Sequence, residues 1–257
     1  MAQWHEFVDP ADVTEQQRLA LLEQVFDPIS IRNLDRIGIQ PSWSCLEVGA
    51  GAGSIARALA SRAGSVVVTD LTIELLTPLT SLGVTVLRHD VLVDDAPGEF
   101  DFIHCRYVLE HLPARQRALE RMVSWLKPGG TLLVEGGAPT PSLSSRTVVG
   151  RAMSAGLAIY GRGLGSEPEW VRTLPQPLIA AGLVDCGAEL CAPPVLGGTA
   201  MANWVSATMQ LTDSRAVEAG LITWEELTEA HAAYRDPSFV DYTWLGIAAW
   251  GQKGGTS

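Results

Sequence analysis

The stretch of residues 45–54 constrains the fold of this chain more than any other, and it reads Cys-Leu-Glu-Val-Gly-Ala-Gly-Ala-Gly-Ser. Its order is an apolar strand, a glycine turn and the start of a helix, which presents backbone N–H groups and a helix N-terminus to a ligand. Glycine is required where a side chain would block the ligand's approach or the unusual backbone angles of the turn. The pattern therefore predicts a nucleotide-type ligand at this turn.

Two acidic residues near the turn narrow the choice of ligand. Asp70 ends a second apolar run and follows the first glycine by roughly 20 residues, the spacing at which a carboxylate reaches ribose hydroxyls. The turn reads Gly-x-Gly-x-Gly, whereas the dinucleotide fingerprint is Gly-x-Gly-x-x-Gly. Glu47 lies before the first glycine, where it would repel a pyrophosphate and attract a cationic ligand. A nicotinamide-dependent oxidoreductase stays open as an alternative, but these residues disfavour it.

Helical and apolar segments alternate along the first half of the chain. Asp27 followed by Pro28 reads as a helix N-cap with proline at the first helical position, so we predict two helices there, over residues 14–26 and 28–37. Strands are then predicted at residues 44–48, 65–69, 84–88, 102–105 and 131–135. Helices are predicted between them at residues 54–62, 73–82 and 115–125. Such alternation implies a doubly wound parallel sheet with its ligand site at the carboxyl ends of the strands.

At these residues the chain resembles the class I S-adenosylmethionine (SAM)-dependent methyltransferases. The resemblance covers residues 28–135 and implies a mainly parallel seven-stranded α/β sheet, doubly wound, with an antiparallel last strand and helical lid insertions. Beyond the glycine turn it rests on five motifs in order, namely Thr69-Asp70-Leu71, Arg88-His89-Asp90-Val91, Phe100-Asp101-Phe102-Ile103-His104, Leu109-Glu110-His111-Leu112 and Leu126-Lys127-Pro128-Gly129-Gly130-Thr131-Leu132.

The resemblance implies roles for residues at the methionine and ribose ends of SAM. Glu47 and the turn would hold the methionine end, with the turn amides meeting its carboxylate. Asp70 would accept hydrogen bonds from both ribose hydroxyls, because an ionised carboxylate takes two donors at once. Without a ligand, Asp70 would be a helix N-cap. The turn residues concerned are Gly49, Ala50, Gly51 and Gly53.

Further residues are assigned to the adenine and the ammonium by the same resemblance. Leu71 would pack on the adenine face, and Asp90 would accept from the adenine amino group with Val91 beside it. The main-chain carbonyl of Cys105, expected just after the fourth strand, would meet the cofactor ammonium. Asp90 has a second interpretation as a solvated loop acid, since Asp94 and Asp95 follow it.

Two residues near the end of the fourth strand are candidates for chemistry on the methyl acceptor. His104 is expected at the strand end, where it could take a proton from a hydroxyl during methyl transfer. A second interpretation makes it a hydrogen-bonding neighbour of the cofactor. Arg106 would bind either an acid group of the substrate or a surface carboxylate.

The rest of the chain is interpreted as part of the same domain, which would span residues 1–257. Its core would comprise about residues 28–136 and 166–257, with a helix at 170–182 and strands at 184–191 and 242–250. A lid over the carboxyl edge of the sheet would come from residues 1–27, which include Trp4, His5 and Phe7, and from residues 142–165 and 193–237. The candidate substrate-binding residues there are Tyr160, Trp204, His231 and Tyr234.

Composition excludes some partners. The formal net charge is −11 and the pI is about 4.9, which argues against nucleic acid, since phosphate binding requires a clustered basic surface. Four cysteines show no Cys-x-x-Cys pair, and no spacing typical of metal ligands occurs, so we predict no metal site. The N-terminus lacks the features of a signal peptide, and no run is apolar enough to span a membrane, so we expect a cytoplasmic protein. A homodimer is left open.

These interpretations converge on methyl transfer from SAM to a small-molecule acceptor. The apolar, tryptophan-containing lid favours a hydrophobic natural product made in secondary metabolism, such as a polyketide, and O-methylation is the favoured reaction. The main alternative is a SAM-binding, methyltransferase-like protein that catalyses a reaction without methyl transfer, because the motifs report cofactor binding rather than transfer.

Overall fold

The structure, a computed structural model, describes residues 12–255, apart from the side chains of residues 162–164. Trp4, His5 and Phe7, predicted to belong to the lid, lie outside the described residues. The chain divides into two compact units. We call Phe26–Gly136, Trp170–Glu189 and Ile247–Ser257 the sheet unit, and Met1–Val25, Gly137–Glu169 and Leu190–Gly246 the helical unit.

A seven-stranded sheet with the order β3-β2-β1-β4-β5-β9-β6 is the main feature of the fold. The strands of the chain are β1 (Ser44–Val48), β2 (Ser65–Asp70), β3 (Thr85–Arg88), β4 (Phe100–Arg106), β5 (Leu126–Pro139), β6 (Leu183–Cys191), β7 (Val195–Leu196), β8 (Val240–Asp241) and β9 (Trp244–Lys253). Strands β1 to β5 pair in parallel, and the last strand of the sheet along the chain is antiparallel. The predicted fold class is therefore confirmed.

Helices connect the strands, and most lie close to their predicted positions. The α-helices are α1 (Val13–Ile37), α2 (Ser54–Ala60), α3 (Arg115–Ser124), α4 (Thr147–Leu164), α5 (Gln176–Ala180), α6 (Ala200–Gln210), α7 (Asp213–Glu218) and α8 (Trp224–Arg235). Short 3₁₀ helices span Thr77–Leu82, Leu109–His111, Pro141–Leu143 and Pro168–Thr173. Among residues 12–255, no helix combines the length and the apolar character needed to cross a membrane.

The core of the sheet unit forms because its central strands are apolar on both faces, as parallel strands covered by helices must be. In β1, Cys45 to Val48 are all buried, and Glu47 is the one charged residue among them. Leu59 of α2 and Phe102 of β4 belong to the same buried cluster. Burial of each such large apolar side chain contributes about 2 kcal/mol to the free energy of folding. The cluster holds β1 in place and thereby also positions Glu47.

The prediction of two helices separated at residue 27 is wrong, because α1 continues through Pro28 to Ile37. Proline forces helical φ and removes one backbone hydrogen bond, which a helix tolerates when packing holds it on both sides. Phe26 and Leu34 are buried on either side of Pro28. The carboxylate of Asp27 does not cap a helix either, because it pairs with Arg106 and accepts from Ser54.

Prolines also explain two predicted helices that are shortened or split. The helix predicted at 73–82 is a turn followed by the 3₁₀ helix Thr77–Leu82, since Pro78 has no N–H to donate to the carbonyl four residues earlier. The helix predicted at 170–182 divides into Pro168–Thr173 and α5, with Pro175 between them. Pro78 and Pro175 thus mark breaks that the apolar spacing did not predict, whereas Pro28 does not break α1.

The strand predicted at 131–135 is longer than expected and begins at Leu126. Residues 127–130 were predicted as a turn, but Leu126 already pairs with Phe100, and the register shifts between Phe100 and Phe102. Gly129 accommodates the irregularity at φ +78°, a conformation that favours glycine. The glycines therefore form a bulge within β5 rather than a turn before it.

The helical unit has a core of its own, formed by buried aromatic and aliphatic side chains of α4, α6 and α8. The rings of Trp204 and Trp244 meet edge to face with their centroids 4.6 Å apart. The antiparallel strands β7 and β8, which the sequence did not predict, form a small ribbon. The segments predicted as lid at 142–165 and 193–237 belong to this unit, and their action as a lid stays a prediction.

Candidate functional site

Three glycines shape the turn between β1 and α2. Gly49, Gly51 and Gly53 have φ values of +69°, +58° and +81°, so all three occupy the left-handed region that favours glycine. A Cβ atom on Gly49 would lie 2.2 Å from Cγ2 of Val108, and one on Gly53 would lie 2.7 Å from Cδ1 of Leu79. The turn needs glycine both for its backbone angles and because apolar side chains pack directly against it.

The amides of this turn bind the end of β2. The N–H groups of Gly49 and Ala50 donate to the carbonyl of Thr69 at 2.8 and 3.2 Å. The N–H of Gly51 donates to Oδ2 of Asp70 at 2.9 Å, and that of Gly53 donates to the carbonyl of Ala50. The expectation that the turn amides meet the methionine carboxylate is therefore not supported at these four positions, since each donates within the protein.

Asp70 ends β2 and lies next to the glycine turn, as its spacing predicted. Besides the Gly51 amide, its carboxylate accepts from the N–H of Thr72 at 3.2 Å. No helix starts directly after Asp70, since the next one begins at Thr77, so the alternative interpretation as a helix N-cap is wrong. The side chain is half-buried at the carboxyl end of its strand, where the ligand site of such a sheet is expected.

Asp90 and Val91 follow β3, and Leu71 follows β2, so all three lie near the carboxyl ends of neighbouring strands. Asp90 is half-buried, and its Oδ1 accepts from the N–H of Leu92 at 2.8 Å. Val91 is buried, and its carbonyl accepts from Nε of Arg121 at 2.7 Å. Leu71 is half-buried after β2. These contacts give the segment a fixed conformation, and its role toward adenine stays a prediction.

Glu47 is buried near the end of β1 with an exposed fraction of 4%. Its Oε1 lies 3.6 Å from Nδ1 of His104, an ion-pair distance that is too long for a hydrogen bond. Its Oε2 has no hydrogen-bond partner among the described residues. A buried carboxylate oxygen without a donor is costly, so this oxygen is a candidate to receive a donor or a positive charge from a ligand.

His104 lies inside β4, so the expectation that it stands at the strand end is wrong. The imidazole is fully buried, and its Nε2 lies 3.0 Å from Oε2 of Glu135. Its pairing partner in β1 is Glu47, which brings the two side chains to one face of the sheet. A ring enclosed in this way does not face an acceptor, so the geometry does not favour the predicted role as a general base.

Charge explains how His104 is held between its neighbours. Burial disfavours the imidazolium and acts to lower the pKa of His104. The carboxylates of Glu135 and Glu47 have the larger effect and raise that pKa above its ordinary value of 6.5. Burial likewise acts to raise the pKa of Glu135, yet the hydrogen bond and charge of His104 lower it overall. The direction of both shifts indicates a charged pair in the interior.

Cys105 also lies inside β4, between Val48 and Val134 on the neighbouring strands, and not just after the strand as predicted. Its thiol is fully buried, and burial together with the charges of Glu110 and Glu47 raises the pKa of the thiol well above its usual range. A buried thiol of this kind is inert. The predicted contact of its carbonyl with the ammonium stays a prediction.

Arg106 ends β4 and pairs with a carboxylate of the protein. Its Nη1 lies 2.9 Å from Oδ1 of Asp27 and donates to Oγ of Ser30 at 2.9 Å. Asp27 in turn accepts from Oγ of Ser54 at 2.9 Å. Of the two interpretations, the carboxylate partner is the one seen. These contacts join α1 and the start of α2 to the end of β4.

Two of the predicted substrate residues are polar side chains that bind other residues of the helical unit. His231 lies 2.7 Å from Oγ of Ser206 through Nδ1 and 2.8 Å from Oδ2 of Asp213 through Nε2. Tyr160 donates its hydroxyl to the carbonyl of Thr208 at 3.3 Å, and burial raises the pKa of Tyr160 to about 12. Both are satisfied within the unit.

The other two predicted substrate residues are part of the core of the helical unit. Trp204 is 1% exposed against Trp244, and Tyr234 is fully buried against Phe239 with its hydroxyl 3.4 Å from Sδ of Met209. Burial raises the pKa of Tyr234. Such packing does not support contact with an acceptor, because the rings already fill the space between helices.

Sequence reasoning missed Glu135, the two residues of α1 that donate to it, and Tyr107. Glu135 receives the donors of Ser30 and Asn33 as well as that of His104, and Asn33 donates at 2.7 Å. A signal was present, because Glu135 follows the apolar residues Leu132 to Val134 and directly precedes two glycines. Tyr107, at φ +55°, directly follows β4 and packs its ring against Phe26. Backbone strain of this kind is concentrated at functional sites.

Glu47, the glycine turn and Asp70 lie close together in the sheet unit and offer a carboxylate, close backbone and a second carboxylate to one ligand. This set fits a molecule with a positive charge and ribose hydroxyls. For a metal the set is poor, since no cluster of three or more His, Cys, Asp or Glu side chains arranged to hold an ion occurs in the part of the chain that is described.

Comparison with known proteins agrees with this geometry. Residues 18–180, more than half of the chain, match the family model described as a methyltransferase domain. The mycolic acid cyclopropane synthase CmaA1, solved in complex with SAH and CTAB, has a TM-score of 0.59 and is 18% identical. The alignment covers 90% of this chain and 85% of that one. At that identity, the likeness shows the fold alone.

Two curated relatives have similar stretches of sequence. One, from Xanthomonas campestris pv. campestris strain B100, is a ubiquinone biosynthesis O-methyltransferase that is 32% identical over 47% of this chain and 54% of its own length. The other, from Bordetella parapertussis, is the ubiquinone/menaquinone biosynthesis C-methyltransferase UbiE, which is 32% identical over 51% of this chain and 54% of its own length. The chain thus spans about half the length of the curated relatives it matches.

Proposed function

The chain belongs to the family of methyltransferase domains, and on that premise we propose that it transfers a methyl group from SAM to a small, hydrophobic acceptor. The observation that most supports SAM as the cofactor is Oε2 of Glu47, a buried carboxylate oxygen without a hydrogen-bond donor in the described part of the chain. It lies beside the glycine turn, near Asp70. A cationic amino-acid group would satisfy it.

The residues present fit the parts of SAM. Glu47 would hold the ammonium, and Asp70 would accept from the ribose hydroxyls, while the glycine turn lets the cofactor approach the backbone. Asp90, Val91 and Leu71 would surround the adenine. When bound, SAM supplies a methyl group attached to a sulfonium sulfur. After transfer of the methyl group, the rest of the molecule is a neutral thioether.

The protein's own contribution would be placement rather than proton transfer. Displacement at a methyl carbon is accelerated chiefly by holding the two reactants in line. The side chains of Val108 and Leu79 pack against the glycine turn and would exclude water from it. His104 is enclosed by carboxylates, so we assign it no proton transfer with the acceptor.

Oxygen is the atom that we propose to be methylated. The support is the name of the first relative, an O-methyltransferase of ubiquinone biosynthesis, although the second is a C-methyltransferase. A small molecule is favoured over nucleic acid because the net charge is −11. A quinone precursor or another apolar phenol combines an acidic hydroxyl, which needs little help from a base, with a hydrophobic scaffold.

Mass spectrometry of reactions with SAM and a panel of apolar phenols and quinols tests this proposal. We expect a product that carries one added methyl group on oxygen, formed together with S-adenosylhomocysteine (SAH). A transformed product without an added methyl would instead support the alternative of a SAM-binding protein with another activity. A reaction without SAM is the control, since both methyl transfer and the alternative activity require SAM.

A further inference from the structure

A row of three buried ionisable side chains runs through the interior of the sheet unit, from Glu47 through His104 to Glu135. Nδ1 of His104 lies 3.6 Å from Oε1 of Glu47, and Nε2 lies 3.0 Å from Oε2 of Glu135. All three are less than a tenth exposed. The methyltransferase proposal uses only Glu47, so His104 and Glu135 are charged groups whose burial is still unexplained.

The Glu135 end of the row is closed. Its two carboxylate oxygens accept from the Ser30 hydroxyl, from Nδ2 of Asn33 at 2.7 Å and from the imidazole. Ser30 and Asn33 lie one turn apart on α1, so they face the same carboxylate. With three donors, Glu135 has a fixed orientation, and through its hydrogen bond it fixes the plane of the His104 ring.

The Glu47 end of the row is open. Both Nδ1 of His104 and Oε2 of Glu47 are buried atoms that lack a hydrogen-bond partner among residues 12–255. Glu47 itself lies near the glycine turn, while His104 is enclosed and stacks on Phe102. At the end of the row next to the glycine turn, the Glu47 carboxylate is therefore attracted by the charge of His104, but its Oε2 still lacks a hydrogen-bond donor in the described chain.

From this arrangement we infer that His104 and Glu135 are positioning residues, which hold the Glu47 carboxylate in the orientation that receives the amino-acid end of the cofactor. This inference rests on the proposed function. It assigns no contact with the cofactor to His104 or Glu135, because both act through Glu47. It gives a role to the buried pair of His104 and Glu135, which methyl transfer itself does not require.

The protonation of the ring decides whether the pair can act in this way. A neutral ring that donates from Nε2 to Glu135 would turn the lone pair of Nδ1 toward the Glu47 carboxylate and repel it. An imidazolium has an N–H at both positions and attracts both carboxylates. The raised pKa of His104 agrees with the charged form.

The charged groups near the ring are Glu47 on β1 and Glu135 on β5. From α1, the neutral side chains of Ser30 and Asn33 donate to Glu135, while the cationic Arg106 donates to Ser30 and pairs with Asp27 of the same helix. The positive ring between two negative carboxylates leaves the row with a net negative charge. That charge is concentrated at the open end, where it favours a cationic ligand group.

Binding of two ligands distinguishes a specific effect on the orientation of Glu47 from a general effect on the fold. SAH contains the amino-acid end, whereas 5′-methylthioadenosine has the same nucleoside and a thioether but no amino-acid end. We would titrate both ligands calorimetrically into the full chain and into Glu135→Gln and His104→Phe. A matched control is His231→Phe, which removes a buried histidine of the helical unit whose two ring nitrogens both have polar partners.

We expect Glu135→Gln to weaken SAH binding by about tenfold and His104→Phe to weaken it further, because a charge-assisted contact that orients a ligand group is worth about 1.4 kcal/mol or more. Affinity for 5′-methylthioadenosine should stay within about twofold in both variants. His231→Phe should change neither affinity. If His104→Phe does not fold, Glu135→Gln decides, since it preserves volume and the imidazole.

The inference is overturned if the variants bind SAH as tightly as the wild type, or if both ligands weaken equally. Equal weakening would mean that the pair only supports the structure of the site. Failure of the proposed function gives a different result, since the unaltered chain would then bind neither SAH nor 5′-methylthioadenosine.

Discussion

Among the described residues, His231 and His104 are each buried beside a carboxylate, and their surroundings differ in one respect. In the helical unit, both ring nitrogens of His231 have partners at hydrogen-bond distance, Ser206 and Asp213. In the sheet unit, His104 has one such partner, Glu135, and its other nitrogen faces Glu47 at 3.6 Å. The first group is closed, and the second ends in a carboxylate oxygen without a donor in the described chain.

This difference separates a network that stabilises from one that prepares a site. A closed network joins α6, α7 and α8 and has no atom left that requires a ligand. An open network carries an unmet desolvation cost, which a ligand of opposite charge can relieve on binding. The comparison teaches that burial and a nearby acid do not identify a functional histidine. What distinguishes His104 from His231 is that Nδ1 of His104 and Oε2 of Glu47 have no hydrogen-bond partner among the described residues.

The largest effect should follow from Glu47→Gln, which removes the charge at the open end. We expect the affinity for SAH to fall by about 100-fold, because a buried charge-assisted contact is worth about 2–3 kcal/mol. Calorimetric titration measures it, with Glu189→Gln as a control, since that acid pairs with Arg32 and Arg36 at the surface. Unchanged binding in Glu47→Gln would remove the basis for distinguishing the two histidines.

A somewhat smaller effect, and on a different quantity, is expected for His231→Phe. Losing two hydrogen bonds and leaving Asp213 without its partner should lower the free energy of unfolding by about 2 kcal/mol, while SAH affinity stays the same. Urea denaturation and calorimetry on the same sample measure both quantities. A loss of SAH affinity with intact stability would show that the closed network also serves binding.

The cap of α8, the helix that carries His231, offers a milder test. Thr223 accepts from the N–H of Glu226, whose carboxylate accepts from the N–H of Thr223 in return. Thr223→Ala should lower the free energy of unfolding by about 1 kcal/mol. SAH affinity should again be unchanged, and Thr223→Ser, which keeps the hydroxyl, should restore stability. Equal losses in Ala and Ser would reject the capping explanation.

The smallest expected effect is a pH dependence of stability that comes from the open network. Because the pKa of His104 is raised above 6.5 in the folded protein, its stabilising contribution is complete below pH 6.5 and is lost as the pH rises through the raised value. The lowered pKa of Glu135 acts oppositely, so its contribution is present above pH 4.5 and is lost as the pH falls through the lowered value.

Urea denaturation at about pH 6 and about pH 9 checks this dependence. The wild type should lose more stability between the two conditions than His104→Gln does, since the variant lacks the titrating ring. If the two proteins lose the same amount, then His104 is not a charged group in the folded state, and the electrostatic account of its contact with Glu47 fails.

Local pattern predicted the frame of the site well. The glycine turn, Asp70 at the end of β2 and the alternation of strands with helices all depend on short stretches of sequence, and the structure has them where they were expected. Helix ends were less predictable, since Pro28 lies inside α1 where packing of Phe26 and Leu34 overrides its usual effect. Pro175, by contrast, does end a helix.

Partnerships between distant residues could not be predicted. Glu135 meets Ser30 and Asn33, which precede it by about a hundred positions, and no local spacing announces that contact. For the same reason, Trp204 and Tyr234 were expected to line a substrate site, whereas their partners Trp244 and Phe239 place them in a core. Periodicity says which side chains share a helix face, but it does not say what covers that face.

The most direct test of the central claim, that the edge of the sheet beside Glu47 and Asp70 binds SAM, is a calorimetric titration of the wild-type chain with SAM, with NADH as the competing ligand. The account predicts saturable binding of one SAM per chain and no heat from NADH. Binding of NADH without SAM, or no binding of SAM at all, would contradict it.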